Sequence, residues 1–385
     1  MIDEKAILKT NIKPPKGGYG FVNPKKDKKA FLYGDGNLSF EAINPSGDWS
    51  DFVPPLEIQN KYFETYHCTV FSTIKAILTL IYFKYYKNTD KEIFFTENDK
   101  SERFTGVIAG LSTQGGSPKL VADAIRKTGL LPQNKLPWTS DLNSFFKYSA
   151  PRPVSEMLRL YGQEASNWLK KYSFGYEYLK VNYGWKIWRM IKGVLGIGRL
   201  GAATQDAMLE ALTTAPLCAS GYSWIFDNNG LAYKPAGYVD NHWFMIIAGE
   251  KNKYWLIYDN YNRCWVKCRW EYNFGNIMRY DVDKIDYDEL TPEDLCVKYE
   301  NTPVKGDKKA AIYMLVAFKK KSFKNWITYL AYNWKKSDFV VVPQEVLDQV
   351  PEDTPMDITL SPNWEVIKEL SYPDNIKKLQ EILNK

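Results

Sequence analysis

Cys68-Thr69-Val70-Phe71-Ser72 opens an apolar run in which Phe71, Ile74, Ile77, Leu78 and Ile81 recur at helical spacing. The spacing predicts a largely buried helix with Cys68 in its first turn. The positive end of a helix dipole favours a thiolate placed there. The chain has only two histidines, His67 and His242. His67 adjoins Cys68 and is read as pointing away from it. His242 opens an apolar run, followed by Tyr254-Trp255-Leu256-Ile257-Tyr258-Asp259-Asn260. An imidazole on one strand, held by a carboxylate or amide on the next, can activate a distant thiol. Asp259 is the expected third group, and a shift of one residue would substitute Asn260.

Composition limits the alternatives. With 385 residues, 45% hydrophobic and 25% charged, the chain has the make-up of a globular protein of one large or two ordinary domains. A net charge of +6 is mild at this length and does not mark a nucleic-acid binder. Aromatic residues make up 15%, enough to line an extended cleft. The five cysteines are odd in number and irregularly spaced, which argues against a disulfide framework. No secretory signal is evident at Met1-Ile2-Asp3-Glu4-Lys5, and no apolar stretch is read as spanning a membrane. A cytoplasmic or virion-associated location is therefore expected.

Five segments are expected. Residues 1–50 form an extended arm rich in Lys, Gly, Pro and Asn. Residues 51–140 form a helical subdomain carrying Cys68. Its second helix, over 117–128, has Ser117-Pro118 as start signal and Gly129 as C-cap. Residues 141–204 form a helical, basic and aromatic insertion. Residues 205–300 form a strand-dominated subdomain, with strands at 242–249, 254–259 and 264–270. Residues 301–385 form a C-terminal extension.

The segment Cys68-Thr69-Val70-Phe71-Ser72 resembles the nucleophile segment of papain-like cysteine peptidases. Pro54-Pro55-Leu56-Glu57-Ile58-Gln59 is similar to that family's lead-in to its oxyanion-hole glutamine. Gly115-Gly116 resembles its paired, substrate-binding glycines. The run from His242 to Trp265 resembles its histidine strand and the asparagine- and tryptophan-bearing segment beyond. The style is that of bacterial or phage members. The resemblance implies an α+β fold with a helical and a β-barrel-like antiparallel subdomain and a cleft between them. It implies that Cys68, His242, Asp259 and Gln59 are catalytic, and that Gly115, Gly116, Tyr261 and Trp265 contact a polypeptide substrate. It implies no cofactor and no metal. Three departures stand out. Gln59 lies three residues further from the nucleophile than the family pattern, leaving Asn60 as an alternate donor. Asp259 replaces asparagine. Tyr66-His67 replaces Gly-Ser.

The expected activity is peptide hydrolysis through an acyl-enzyme. Two rivals stand beside it: a degenerate binding or structural protein on the same fold, and a cell-wall amidase using the same dyad. Gly196-Ile197-Gly198-Arg199-Leu200-Gly201 matches a dinucleotide fingerprint, but follows no strand and is not read as one. Cys264 and Cys268 lack histidine partners for zinc. The basic-aromatic stretch 318–336 is compatible with an anionic or protein partner, or with a solvated edge strand and helix.

Overall fold

The computed structural model describes residues 7–9, 11, 18–24, 38, 41–147, 154–180, 205–261, 264–285, 291–334, 339–368, 378–379 and 381–382. It divides into two compact units, Met1–Asp283 and Lys284–Lys385.

The first unit is α+β. Its central helix α1 (Cys68–Ile81) is buried along all 14 residues. The unit also contains α2 (Lys91–Asn98), α3 (Glu102–Ile108), α4 (Pro118–Thr128), α5 (Leu142–Phe145) and α6 (Val154–Lys171). The α4 ends are those expected. Ser117 Oγ accepts from Lys119 N, Pro118 occupies the first turn, and Gly129 closes the helix at φ +87°. By length and composition the helix Cys68–Tyr86 could cross a membrane, but 89% of its apolar window is buried inside this fold. It serves here as a core helix.

The strands are β1 (Ile7–Leu8), β2 (Tyr172–Lys180), β3 (Leu217–Gly221), β4 (Ile225–Phe226), β5 (Ala232–Tyr233), β6 (His242–Glu250), β7 (Tyr254–Asp259), β8 (Cys264–Arg269) and β9 (Ile277–Lys284). They form one sheet in the order β2-β9-β3-β6-β7-β8-β5-β4, with β1 also on β8. The β3–β6–β7–β8 centre is antiparallel. Near-continuous apolar side chains on β6 reflect burial on both faces. Its register puts His242 opposite Gly221 and Met245 opposite Tyr258.

The expected boundaries shift in two places. Residues 141–204 are not helical throughout, because Tyr172–Lys180 is a strand of the main sheet. Arg279 on β9 ion-pairs with Glu177 on β2 and donates to Thr214 Oγ1 at 2.7 Å. The α6 residues Met157, Ala165 and Trp168 are buried, so this segment completes the core. Residues 181–204, including the 196–201 glycine motif, lie outside the described residues. The first unit ends at Asp283, ahead of the expected boundary at 300.

The second unit has its own four-stranded sheet, Pro303–Gly306, Ile312–Val316, Lys319–Ser322 and Val340–Val342. Lys319–Ser322 is an edge strand. Its Lys320 is buried and donates to Leu347 O at 2.8 Å, and Lys321 pairs with Asp353. Two lysines of the basic-aromatic stretch 318–336, Lys320 and Lys321, are thus engaged within the unit.

A carboxylate cluster with one buried member, Glu102, surrounds the buried Lys75 of α1. Lys75 Nζ lies 2.7 Å from Glu57, 3.3 Å from Asp99 and 3.4 Å from Glu102. The three acids could by spacing hold a metal ion, but the ammonium already stands among them. Burial, eased by Lys75, pushes the Glu102 carboxyl up to about 8. An unfolded glutamate loses its proton near pH 4.3 (about), so between that pH and about 8 the folded chain holds the extra proton. Stability from this group is complete at low pH and is lost as pH rises through that window. Glu102→Gln should reduce the stability lost between pH 5 and pH 8 by roughly 1–3 kcal/mol, as read by urea unfolding at both pH values.

Candidate active site

Helix α1 places Cys68 at its first residue, fully buried. Tyr66, two residues earlier, adopts φ +56°. This left-handed conformation costs a non-glycine residue about 1–2 kcal/mol, and the resembled family has glycine there. His67 is buried with neither ring nitrogen hydrogen-bonded. It sits among Phe145, Phe146 and Gly106, and burial pushes its imidazole down to about 3. It is a neutral core residue.

Helix α1 packs on β6. Ser72 Oγ, one turn after Cys68, donates to Trp243 O at 3.0 Å, and the Trp243 backbone lies near enough to the Cys68 sulfur to favour its ionised form. The thiol therefore meets the strand at the residue following His242. His242 Nε2 lies 2.7 Å from Asp259 Oδ1, and Nδ1 is buried with no hydrogen bond. Nδ1 is the nitrogen left to receive a proton.

Asp259 is fully satisfied. Oδ1 also accepts from Tyr261 N at 2.9 Å, and Oδ2 accepts from Trp224 Nε1 at 2.7 Å. Burial opposes ionisation, but His242 and these donors outweigh it and hold the carboxyl below its usual range. Asn260 points elsewhere, its Nδ2 donating to Ser72 Oγ at 3.3 Å. Asp259 rather than Asn260 thus pairs with the imidazole.

Gln59 is buried, with Nε2 at 3.4 Å from both Tyr19 O and Glu64 Oε1. Its backbone N–H donates to Asn260 O at 3.0 Å, tying this loop to the end of β7. The Asn60 side chain instead lies near the Tyr261 hydroxyl, which also faces Glu64. Tyr261 stands edge-on to His242 at 6.3 Å. Trp265 packs on Tyr258 at 5.6 Å, and among the described residues no ring contact joins it to His242. The indole beside the imidazole belongs to Trp224, at 6.2 Å. Sequence reading passed over Trp224 because it precedes a two-residue strand with no periodic pattern.

The N-terminal arm fills the groove. Tyr19 is fully buried, 4.6 Å from the His242 ring and 4.2 Å from Tyr261, and its N–H donates to Asn241 O at 2.9 Å. Gly116 N donates to Gly20 O at 2.9 Å, and Val22 N donates to Gly116 O at 3.2 Å. This is a parallel bridge centred on Phe21, whose ring stacks on Trp243 at 5.7 Å. Gly20, at φ +96°, must be glycine, because a Cβ would collide with the Tyr66 carbonyl. A Cβ on Gly115 would likewise strike Gly20 O. The sequence signal was Gly17-Gly18-Tyr19-Gly20, an aromatic residue flanked by residues that permit close backbone approach.

Under the arm the thiol differs from expectation. Burial pushes Cys68 well above its ordinary range, and the charges of Glu64 and Asp259 push the same way against backbone donors at Trp243 and Thr69. In this closed state it is a protonated thiol, not a thiolate. All five cysteines are unpaired and buried, Cys264 and Cys268 included.

The structure is similar to several solved cysteine proteases. For digestive procathepsin L2 proteinase from Tenebrio molitor larval midgut, identity is 15%, coverage is 68% of this chain and 78% of that chain, and the TM-score is 0.44. For xylellain, a cysteine protease from Xylella fastidiosa, the values are 16%, 71%, 98% and 0.45. For the cysteine protease and lectin-like domains of Cwp84, a surface layer associated protein of Clostridium difficile, they are 13%, 71%, 57% and 0.42. No family profile matches the chain. No curated protein matches it.

Asp259→Ala should destabilise the chain by roughly 2–4 kcal/mol, because it strands both His242 Nε2 and Trp224 Nε1. Because the folded carboxyl lies low, its contribution is present above the unfolded pKa and is lost as pH falls. The deficit measured by chemical denaturation at pH 7 should therefore shrink in acid.

Proposed function

We propose that the chain is a papain-like cysteine peptidase whose groove is closed by its own N-terminal arm. The observation that carries this reading is the meeting of a helix-N-terminal thiol with the strand that bears a carboxylate-held histidine. With the groove open, Cys68 attacks a peptide carbonyl as His242 Nδ1 takes the thiol proton. Asp259 holds the other ring nitrogen and stabilises the imidazolium. The Cys68 backbone N–H and Gln59 Nε2 receive the oxyanion. His242 then protonates the departing amine, and water, deprotonated by the same imidazole, releases the acyl group. Gly116 would pair with substrate backbone as it now pairs with Gly20 and Val22. The arm supports a latent state, since it puts a carbonyl at Gln59 and buries the thiol.

The test is alkylation of Cys68 by chloroacetamide across pH, read by mass spectrometry. Gly20→Val is expected to unseat the arm, and Tyr19→Ala removes the ring that covers His242. Either should raise the Cys68 rate at pH 7 about tenfold or more. Adding His242→Ala to the opened chain should return reactivity to that of an ordinary thiol, with pKa about 8.5. An opened chain whose thiol is ordinary with His242 intact would sink the peptidase reading in favour of a degenerate binding protein. Turnover of unfolded protein by the opened chain separates a peptidase from an amidase confined to a non-protein amide.

A further inference from the structure

The arm divides the groove into two halves. Phe21 and Val22 lie on the half formed by Gly116 and Trp243. Tyr19 lies on the half formed by Gln59, Tyr261 and His242. Glu64 belongs to the second half. Its Oε1 accepts from Tyr66 N at 2.8 Å and faces Gln59 Nε2 at 3.4 Å. Its Oε2 is buried with no hydrogen-bond partner, and among the described residues no Lys or Arg is ion-paired with it. Its charge is felt at Cys68, Tyr19 and Tyr261 alike.

The sequence explains how a carboxylate comes to stand there. The Gln59–Cys68 loop is longer by three residues than the pattern it resembles, and Glu64 lies within that loop. A carboxylate beside a developing oxyanion opposes it, so a glutamate in this place favours a compensating charge. Asp259 cannot supply one, and its own carboxylate adds to the negative field. The His242 imidazolium formed in the reaction offsets one negative charge, and the occupant of the groove is the source that could answer the second.

We propose that Glu64 is a specificity-determining residue that selects polypeptides with a lysine or arginine on the side of the scissile bond away from Gly115–Gly116. The word substrate here rests on the peptidase reading, but the recognition does not require turnover. An ammonium or guanidinium reaching Glu64 would satisfy its open oxygen and cancel the charge that opposes both thiolate and oxyanion. An acidic side chain in that place would add a third carboxylate.

The experiment measures binding to the full chain carrying Gly20→Val and Cys68→Ala, so that the groove is open and no peptide is consumed. Fluorescently labelled decapeptides copying residues 16–25 carry Lys, Ala or Glu in turn at the places of Gly17, Gly18 and Tyr19. At one of these places the Lys peptide should bind about tenfold more tightly than the Glu peptide. Adding Glu64→Gln, which keeps shape and an acceptor oxygen, should reduce that ratio to about twofold or less. Equal binding at all three places overturns the proposal, as does a preference that survives Glu64→Gln. If Gly20→Val does not fold, Tyr19→Ala provides the opened chain for the same comparison. Chloroacetamide reactivity of the corresponding Cys68 chain is scored separately. An activated Cys68 with no charge preference therefore removes Glu64 alone, whereas a charge preference with an ordinary thiol removes catalysis and leaves the binding site.

Discussion

Complete burial of α1 is the constraint on which the first unit depends. Fourteen residues without one exposed face must find partners for their polar side chains inside the fold, and Thr69 Oγ1 finds none. Ser72 finds one on the β6 backbone, Thr73 shares a hydrogen bond with Tyr280 on β9, and Lys75 draws three carboxylates beneath the helix. Each of these partners comes from an element distant in sequence. The same contacts that resolve the polar groups of α1 therefore fix its height and rotation against the sheet. Cys68 meets β6 beside His242 as a consequence of packing one turn further in.

The sheet then does for the imidazole what the helix does for the thiol. His242 starts β6 and Asp259 ends β7, so antiparallel pairing of adjacent strands returns the carboxylate to the end where the histidine lies. Two further donors, Trp224 Nε1 and Tyr261 N, satisfy Asp259. An amide in that place would have one oxygen to offer. The carboxylate has two, and the fold uses both, which is why a buried negative charge is tolerated at the centre of the site.

Much of this was legible in the chain because it rested on local periodicity. The 3.6-residue spacing after Cys68 and the apolar runs at 242–249 and 254–259 gave the helix, the two strands and their order. Ser117-Pro118 and Gly129 gave the ends of α4 through cap chemistry. What escaped depended on contacts between remote segments. Tyr172–Lys180 reads as aromatic and polar, and only pairing with β9 makes it a strand. Trp224 gains its role from Asp259, 35 residues away. Glu64 lay inside the loop whose extra length was visible, yet length alone does not say which side chain the added residues turn inward. The ionisation state of Cys68 follows from its complete burial, which local spacing does not encode.

The arm's position also sets how firmly the groove can be held shut. Its seat in the groove is made of a few backbone hydrogen bonds and three aromatic contacts, a modest set for a segment binding from solution. But Ile7–Leu8 adds to β8, and Asn11 Oδ1 accepts from Phe226 N at 2.8 Å. On the other side Asn276 Nδ2 donates to Asn23 Oδ1 at 3.1 Å. Anchors on both sides turn reseating into an intramolecular event, with an effective concentration on the order of millimolar or above. A free peptide making the same contacts would have to exceed that level to compete. On the proposed latent reading, opening would depend less on the strength of any one contact in the groove than on release of an anchor outside it. A small change at β1 or Asn23 would alter access to Cys68 without touching the residues that line the site.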